Sequence, residues 1–505
     1  MDIGSYLSQN ARKFPEKLAI HCEDRRYTYR QFNDEVNRLA HGLILKGVEK
    51  GQKIAIMMKN SDYFVFSFFA AAKLGAVVVP VNTRLTASEV HYILEQSESA
   101  VVICDSIFEE IIAEARVHTN VQHVIVSGGA TRAENDSYHK VRTNHTEDPQ
   151  VKVSEQDDLE ILYTSGTTGR PKGALFDHNR IFKVGLTMII GLGINGQDRL
   201  LHLAPLFHSA QLNLFLLSGV VLGASHYIHS DFHPVTTLQA IQEHKITFFF
   251  GVPAMYNFLL QVPNYKSYDV SSVKRCAYGA APMAPELVKK SMDLFGTDQF
   301  YNLCGLTEAG PGGIILDPEG HKKHLGKGGK AFVFTEARVV TEEGEDVQPG
   351  AVGEFVLCGD TIMKEYYKKP EETAATIKKG WLYTGDLATI DEEGYITLVD
   401  RKKDMIISGG ENVYSIEVEE VLYEHPQILE AAIIGLPDEV WGEAVCAVIV
   451  PKEGQIIDEQ EIRSFCRKKL AGYKVPRTIF IEKQLPRNAS GKILKYQLRK
   501  NLVKA

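Results

Sequence analysis

Residues 53–58 form a short apolar run, and residues 63–74 follow with the length and composition of a helix. Residues 76–81 are β-branched, 87–96 are again helical in pattern, and 101–104 and 124–126 read as strands. Strand, helix and strand at this spacing predict βαβ units and a largely parallel sheet, because parallel strands need a crossover long enough to hold a helix. Residues 128–149 are polar and carry no apolar period, so they are expected to be a surface connection. A second α/β unit is expected where 200–206, 224–228 and 246–251 read as buried strands with helices between them. From about 325 to 399 the pattern changes to short strands with glycine-bearing turns, such as Glu342-Glu343-Gly344 and Glu392-Glu393-Gly394. That predicts an antiparallel sheet or small barrel. After the charged run Asp400-Arg401-Lys402-Lys403-Asp404, a new pattern begins at 405–407. Residues 416–424 and 459–470 look helical and 431–435 and 444–450 look like strands, a small α+β domain from about residue 404 onward.

Composition narrows the class. At 505 residues the chain is too long for one ordinary core. A formal net charge of -8 argues against a nucleic-acid partner held by bulk electrostatics. The seven cysteines are scattered without a Cys-x-x-Cys pair, which suits free thiols in a reducing compartment. Met1-Asp2-Ile3-Gly4 lacks the basic and apolar regions of a signal peptide. The longest apolar stretch, 64–81, contains Lys73 and ends at a Pro-Val-Asn turn, so a buried helix followed by a buried strand explains it better than a membrane span. The expectation is a cytoplasmic enzyme with no integral membrane segment.

The candidate chemistry starts at Tyr163-Thr164-Ser165-Gly166-Thr167-Thr168-Gly169-Arg170-Pro171-Lys172-Gly173, after the apolar residues 159–162 and before a helix-like segment starting near Asn179. Glycines let backbone N–H groups approach an anion, hydroxyls donate further hydrogen bonds, and the lysine adds a point charge. Such a loop suits a triphosphate, although its spacing is not that of a Walker A loop. A flexible linker is the plain alternative. The order of residues resembles the phosphate-binding motif of the adenylate-forming superfamily, which includes acyl-CoA synthetases, luciferases and peptide-synthetase adenylation domains.

Four further motifs follow in that superfamily's order. Tyr301-Asn302-Leu303-Cys304-Gly305-Leu306-Thr307-Glu308 resembles its Tyr-Gly-x-Thr-Glu segment. By resemblance Asn302 lies at the nucleotide, Thr307 holds the α-phosphate, and Glu308 binds magnesium together with Thr164. Cys304 stands where the family's tyrosine stacks on adenine, and Gly279-Ala280-Ala281 resembles the segment on the other adenine face. Tyr383-Thr384-Gly385-Asp386 places Asp386 at the ribose hydroxyls, which suits a carboxylate accepting twice. In the next motif Arg401 is implied to contact ribose and Lys403 to sit at an interdomain hinge, while Ser408, Gly409 and Gly410 line the pantetheine channel. The last, Pro486-Arg487-Asn488-Ala489-Ser490-Gly491-Lys492, makes Lys492 the adenylation lysine.

The resemblance spans essentially the whole chain. It implies an α/β fold with a large N-terminal domain of two doubly wound α/β subdomains plus a small β-barrel, and a small mobile α+β C-terminal domain. The implied boundaries are 1–400 for the ATP- and acyl-binding domain, 401–403 for the hinge and 404–505 for the lid. The implied reaction is AMP-forming acyl-CoA ligation with ATP, Mg2+ and coenzyme A, the partners being a small carboxylic acid, ATP and CoA, with a homodimer left open.

His208, in Leu206-Phe207-His208-Ser209, borders the acyl site by resemblance, as pocket wall and gate. Amino-acid-activating relatives carry aspartate there to pair with the substrate ammonium, so an amino acid substrate is not expected. The apolar residues 248–251 suit an acyl or aryl tail. A medium- or long-chain fatty acid is the first expectation, with an aryl acid of the coumarate, benzoate or succinylbenzoate type as the alternative. Gly409-Gly410 and Trp441-Gly442 resemble CoA-contacting positions and favour free CoA over a relative that forms acyl-AMP without it.

Overall fold

A computed structural model describes residues 1–164, 170–487 and 493–503. Its first sheet has eight strands, with Lys53–Met57 at the centre between Val77–Pro80 and Ser99–Asp105 and parallel to both. The helix Asp62–Leu74 makes the first crossover. Ser61 starts it, its Oγ accepting from Phe64 N at 3.2 Å, and Gly75 ends it in the left-handed region at φ +62°. Phenylalanines and alanines all around this helix are buried, since sheet covers one face and the helices Ile3–Lys13 and Tyr29–Leu45 cover another. No described helix is long and apolar enough to cross a membrane.

The second sheet has nine strands, six of them parallel from Leu18–Cys22 to Phe300–Gly305, with antiparallel strands at both edges. It includes the three strands expected of the second unit, observed as Arg199–His202, Ser225–Ile228 and Phe248–Gly251. The two sheets share a large apolar core in which Phe64, Phe68, Phe176 and Leu216 are buried. A five-stranded antiparallel sheet follows, built on the long strand Trp381–Ile390. The small C-terminal domain pairs Ile428–Asp438 with Gly442–Pro451 and packs the helices Ser415–Tyr423, Glu459–Arg467 and Lys495–Leu502 around that hairpin.

One local expectation is corrected. The stretch 128–149 is more than a surface connection, since it holds the strand Asp136–Ser137 and the helix Tyr138–Val141. Tyr138 is fully buried against the Tyr63 ring, 4.9 Å between centroids. Two anchoring side chains are too few to produce an apolar period. The helix expected near Asn179 is present as His178–Leu192. The strand Lys172–Asp177 precedes it, antiparallel to Asp158–Thr164 with Thr164 opposite Lys172.

Candidate active site

Thr164 ends its strand half-buried, and its hydroxyl donates to the Lys172 carbonyl at 3.4 Å. Ser165, Gly166, Thr167, Thr168 and Gly169, and the candidate catalytic Lys492, lie outside the described residues. At the loop exit Gly173 is required by close packing, because a Cβ there would lie 2.5 Å from Ile161. Lys172 directs its ammonium over the ring of Tyr366, 4.2 Å from the centroid. The Tyr366 hydroxyl in turn donates to Glu308 Oε1 at 2.7 Å. Burial and the Glu308 carboxylate push the Tyr366 phenol far above its ordinary pKa, which keeps it a donor.

Tyr366 was not singled out from the sequence. It sits on the two-residue strand Glu365–Tyr366, which pairs with the strand of Lys172 and places Tyr366 opposite Ala174. The adjoining Met363 N donates to the Glu308 carbonyl at 2.8 Å. Two residues are too short a run for any periodic signal.

On the side implied for the nucleotide, Gly279 closes the strand Arg275–Gly279 beside Leu303, where a Cβ would meet the Leu303 carbonyl oxygen at 2.3 Å. Ala280 has φ +67°, and Ala280 and Ala281 are exposed. Asn302 donates from Nδ2 to the Lys327 carbonyl at 3.1 Å. Thr307 and Glu308 form a single 3-10 turn directly after the strand Phe300–Gly305. Tyr301 is buried in the core with Phe248 and Phe332. Because strand side chains alternate, it points away from the face that carries Cys304. Asp386 and Arg401 are partners across the sheet, with Arg401 Nε 3.3 Å from Asp386 Oδ1.

His208 follows a turn fixed from a distance. Buried Asn60 donates from Nδ2 to the Ala204 carbonyl at 2.9 Å and accepts from Leu206 N at 2.7 Å. Burial lowers the His208 pKa, so the imidazole is neutral near pH 7. Residues Ala210–Leu217 then wind as a π-helix, a form concentrated at functional sites. Phe215 on this helix meets Phe248 and Phe250 at ring separations of 5.1 and 4.7 Å.

The small domain carries a third group. Gly409 and Gly410, at φ +63° and +86°, turn the chain between Ile406–Ser408 and Glu411–Val413. Gly409 N donates to the Trp441 carbonyl at 2.8 Å, and a Cβ on Gly409 would lie 2.8 Å from the indole. Trp441 is exposed, with the Arg477 guanidinium 4.1 Å over its ring. Arg477 is a second residue that sequence reasoning missed. Ser408 is buried, and its hydroxyl has no hydrogen-bond partner among the described residues. Lys403 lies in the exposed turn after Arg401, where Lys402 N donates to the Gly385 carbonyl at 2.9 Å and Asp404 N to the Arg401 carbonyl at 2.8 Å. The helix following Lys492 is tied to this turn: Arg499 meets Asp404 at 2.8 Å, and Lys495 meets Glu419 at 2.7 Å and Ser415, which also donates to Asp400. Among the described residues no hydrogen bond or ion pair joins the Gly409–Trp441 group to the Lys172–Glu308 group.

No cluster of three or more His, Cys, Asp or Glu among the described residues could hold a metal by itself. One carboxylate with one hydroxyl, Glu308 and Thr164, nevertheless suits magnesium, which binds few protein oxygens and completes its shell with phosphate and water. With Oε1 engaged by Tyr366, Glu308 keeps Oε2 to offer.

The profile of the family described as AMP-binding enzyme matches residues 7–367, and that of the AMP-binding enzyme C-terminal domain matches residues 417–492. The chain belongs to the AMP-binding enzyme family. Its relatives include a feruloyl-CoA synthase of an Amycolatopsis species, 36% identical over 99% of this chain and 98% of the relative. A long-chain-fatty-acid–CoA ligase of Mycobacterium tuberculosis is 37% identical over the same shares. Among solved structures, an anthranilate CoA ligase in complex with anthranoyl-AMP superposes with a TM-score of 0.91 at 30% identity, covering 99% of this chain and 97% of the other. An o-succinylbenzoate CoA synthetase of Bacillus subtilis superposes with a TM-score of 0.88 at 30% identity, covering 98% and 97%. This family member is an AMP-forming acid–CoA ligase of the acyl-CoA synthetase type within the adenylate-forming superfamily.

Proposed function

We propose that the acid activated is a medium- or long-chain fatty acid, and that the reaction runs in the cytoplasm, where ATP and CoA are supplied. The observation that carries this reading is the acyl side of the site. By resemblance, neutral His208 stands where an ammonium would need a counter-ion, and the helix that follows it carries Phe215, buried against Phe248 and Phe250. An amino acid would leave its ammonium unpaired there, at a cost of several kcal/mol, roughly.

In the first half-reaction a carboxylate oxygen attacks the α-phosphorus of ATP, and the bond to pyrophosphate breaks. Both reactants are anions, so cationic groups aimed at the developing charge do most of the work. On this reading Lys172 and the hydroxyls of the 164–168 loop hold the β- and γ-phosphates, and Thr307 and Lys492 hold the α-phosphate. Asp386 and Arg401 hold the ribose, Asn302 and the Gly279-Ala280-Ala281 turn border the adenine, and Glu308 with Thr164 would hold Mg2+. When bound, that ion neutralises phosphate charge. In the second half-reaction the CoA sulfur attacks the acyl carbonyl and AMP leaves with the bonding pair. Ser408, Gly409, Gly410 and Trp441, with Arg477 against the indole, would guide the CoA chain. Lys492 and the Gly409-Gly410 turn belong to the same small domain, 404–505, yet serve successive steps at one carbonyl. That domain is therefore taken to turn against 1–400 about the hinge 401–403.

A second reading, an aryl acid, is favoured by the aromatic contacts of Phe215 with Phe248 and Phe250, which could stack on a ring. Pyrophosphate and AMP release measured over fatty, aryl and dicarboxylic acids, with and without CoA, separates the two. Highest kcat/KM on a C8–C18 fatty acid supports the first reading, and on a cinnamate or benzoate the second.

A further inference from the structure

Glu160 is fully buried on Asp158–Thr164, the strand that leads into the phosphate loop, and it plays no part in the chemistry above. Asn213 Nδ2, on the π-helix that follows His208, donates to Glu160 Oε1 at 2.7 Å. The same nitrogen lies 3.3 Å from the carbonyl oxygen of Gly310, two residues beyond Glu308. One amide thus touches all three segments of the site.

The two remaining polar atoms of this pair, Glu160 Oε2 and Asn213 Oδ1, are buried and have no hydrogen-bond partner among the described residues. Rotating the amide does not help, because Oδ1 would then face the Gly310 carbonyl, acceptor against acceptor. Among the described residues no charge compensates an ionised Glu160. Neither Val77–Pro80 nor the π-helix Ala210–Leu217 contains a titratable side chain. On the other neighbouring strand, Lys172 faces the Tyr366 ring and Asp177 pairs with Arg180, while Glu308 accepts from Tyr366. An anion accepting one bond from a neutral amide in such a place is costly, whereas a proton on Oε2 removes the charge and provides the donor that Asn213 Oδ1 lacks.

We propose that Glu160 is a positioning residue, held as a neutral carboxylic acid, which through Asn213 keeps the phosphate-loop strand, the acyl-site helix and the Glu308 segment in register. Burial agrees with this, pushing the Glu160 pKa up to about 8, with the Asn213 contact opposing it only in part. Above that pH the stranded anion is relieved by movement of one of the three segments, and adenylation slows.

Infrared titration of the full-length protein tests the protonation without any substrate. The carbonyl stretch of a protonated carboxylic acid is expected at pH 7, is lost with a midpoint near pH 8, and is absent from Glu160→Gln. Glutamine can accept from Asn213 Nδ2 and donate to its Oδ1. This variant is therefore expected to keep the pH 7 rate of pyrophosphate release within about twofold and to lack the alkaline fall near pH 8 expected of the wild type. Asn213→Ala leaves the acid without its partner, and is expected to move the carbonyl band and slow adenylation at pH 7. No protonated-acid band in the wild type at pH 7 overturns the proposal, and that result does not depend on how any variant folds. An unchanged alkaline limb in Glu160→Gln, or a band insensitive to Asn213→Ala, overturns it as well.

Discussion

The hydroxyl of Tyr366 donates to Glu308 Oε1 at 2.7 Å while the ring of the same tyrosine lies under the Lys172 ammonium. One aromatic side chain thus joins the two charged residues proposed to face the phosphates and their metal. The ammonium above the ring polarises the phenol and strengthens it as a donor to the carboxylate. Tyr366→Phe keeps the ring and removes the donor. Hydrogen bonds to charged groups are worth about 1.5–3 kcal/mol, and Glu308 is only half-buried, so the lower end applies. The Mg2+ concentration for half-maximal pyrophosphate release is expected to rise about tenfold. The same displacement should appear in calorimetric titration of Mg2+ onto the ATP complex. If Glu308→Gln shifts the Mg2+ dependence and Tyr366→Phe does not, the tyrosine serves packing alone.

Lys492 is proposed to act on charge that gathers only during adenylation. Lys492→Ala is expected to slow pyrophosphate release by about a hundredfold or more. The variant should still turn supplied acyl-adenylate and CoA into thioester at close to the wild-type rate. Equal loss in both half-reactions would remove the assignment.

Gly409 has φ +63° and no room for a Cβ, whose nearest neighbour would be the indole of Trp441 at 2.8 Å. Gly409→Ala is expected to displace the indole and strain the turn by about 1–2 kcal/mol. Thioester formation should then fall and the KM for CoA rise, with adenylation unaffected. Single-turnover measurement of each half-reaction checks this, and a slowed first step would place the turn elsewhere in the cycle.

At the turn 401–404 the backbone is held by Lys402 N and Asp404 N, but Lys403 N makes no hydrogen bond to a described residue. Proline at 403 therefore acts through its fixed φ rather than through a lost bond. Lys403→Pro is expected to keep adenylation and lose thioester formation, because one orientation of the small domain is trapped. Acyl-CoA produced at the wild-type rate by this variant would show that the hinge lies elsewhere.

Glu160 also sets a pH dependence of stability. Its folded pKa of about 8 lies above the ordinary glutamate value of about 4.3, so the folded chain retains a proton that the unfolded chain has released. The stabilisation is complete below the ordinary value and is lost as pH rises through the folded one. The Tm of Glu160→Gln, relative to wild type, is expected to climb between about pH 5 and pH 8 and then level off. A difference that stays flat across this range would mean that the carboxyl titrates normally.

Much of this protein is determined by contiguous sequence. The βαβ order around Lys53–Met57 was legible because short β-branched runs alternate with longer segments of helical length and composition. The membership of the AMP-binding enzyme family was legible because its motifs, from Thr164 to Lys172, at Thr307-Glu308 and at Gly409-Gly410, are contiguous runs of particular residue types. The partners of those residues were not. Tyr366 reaches Glu308 across 58 positions, and Asn213 reaches Glu160 across 53. Neither contact leaves a period, since each depends on one side chain and on which strands and helices become neighbours. The antiparallel pairing of Thr164 with Lys172 and the burial of Tyr138 were decided in the same way. A local pattern tells a residue which face to bury. Which donor it meets there, and whether a buried acid such as Glu160 keeps its proton, follows only from tertiary packing, because the cost of an unpaired polar atom is set by what surrounds it.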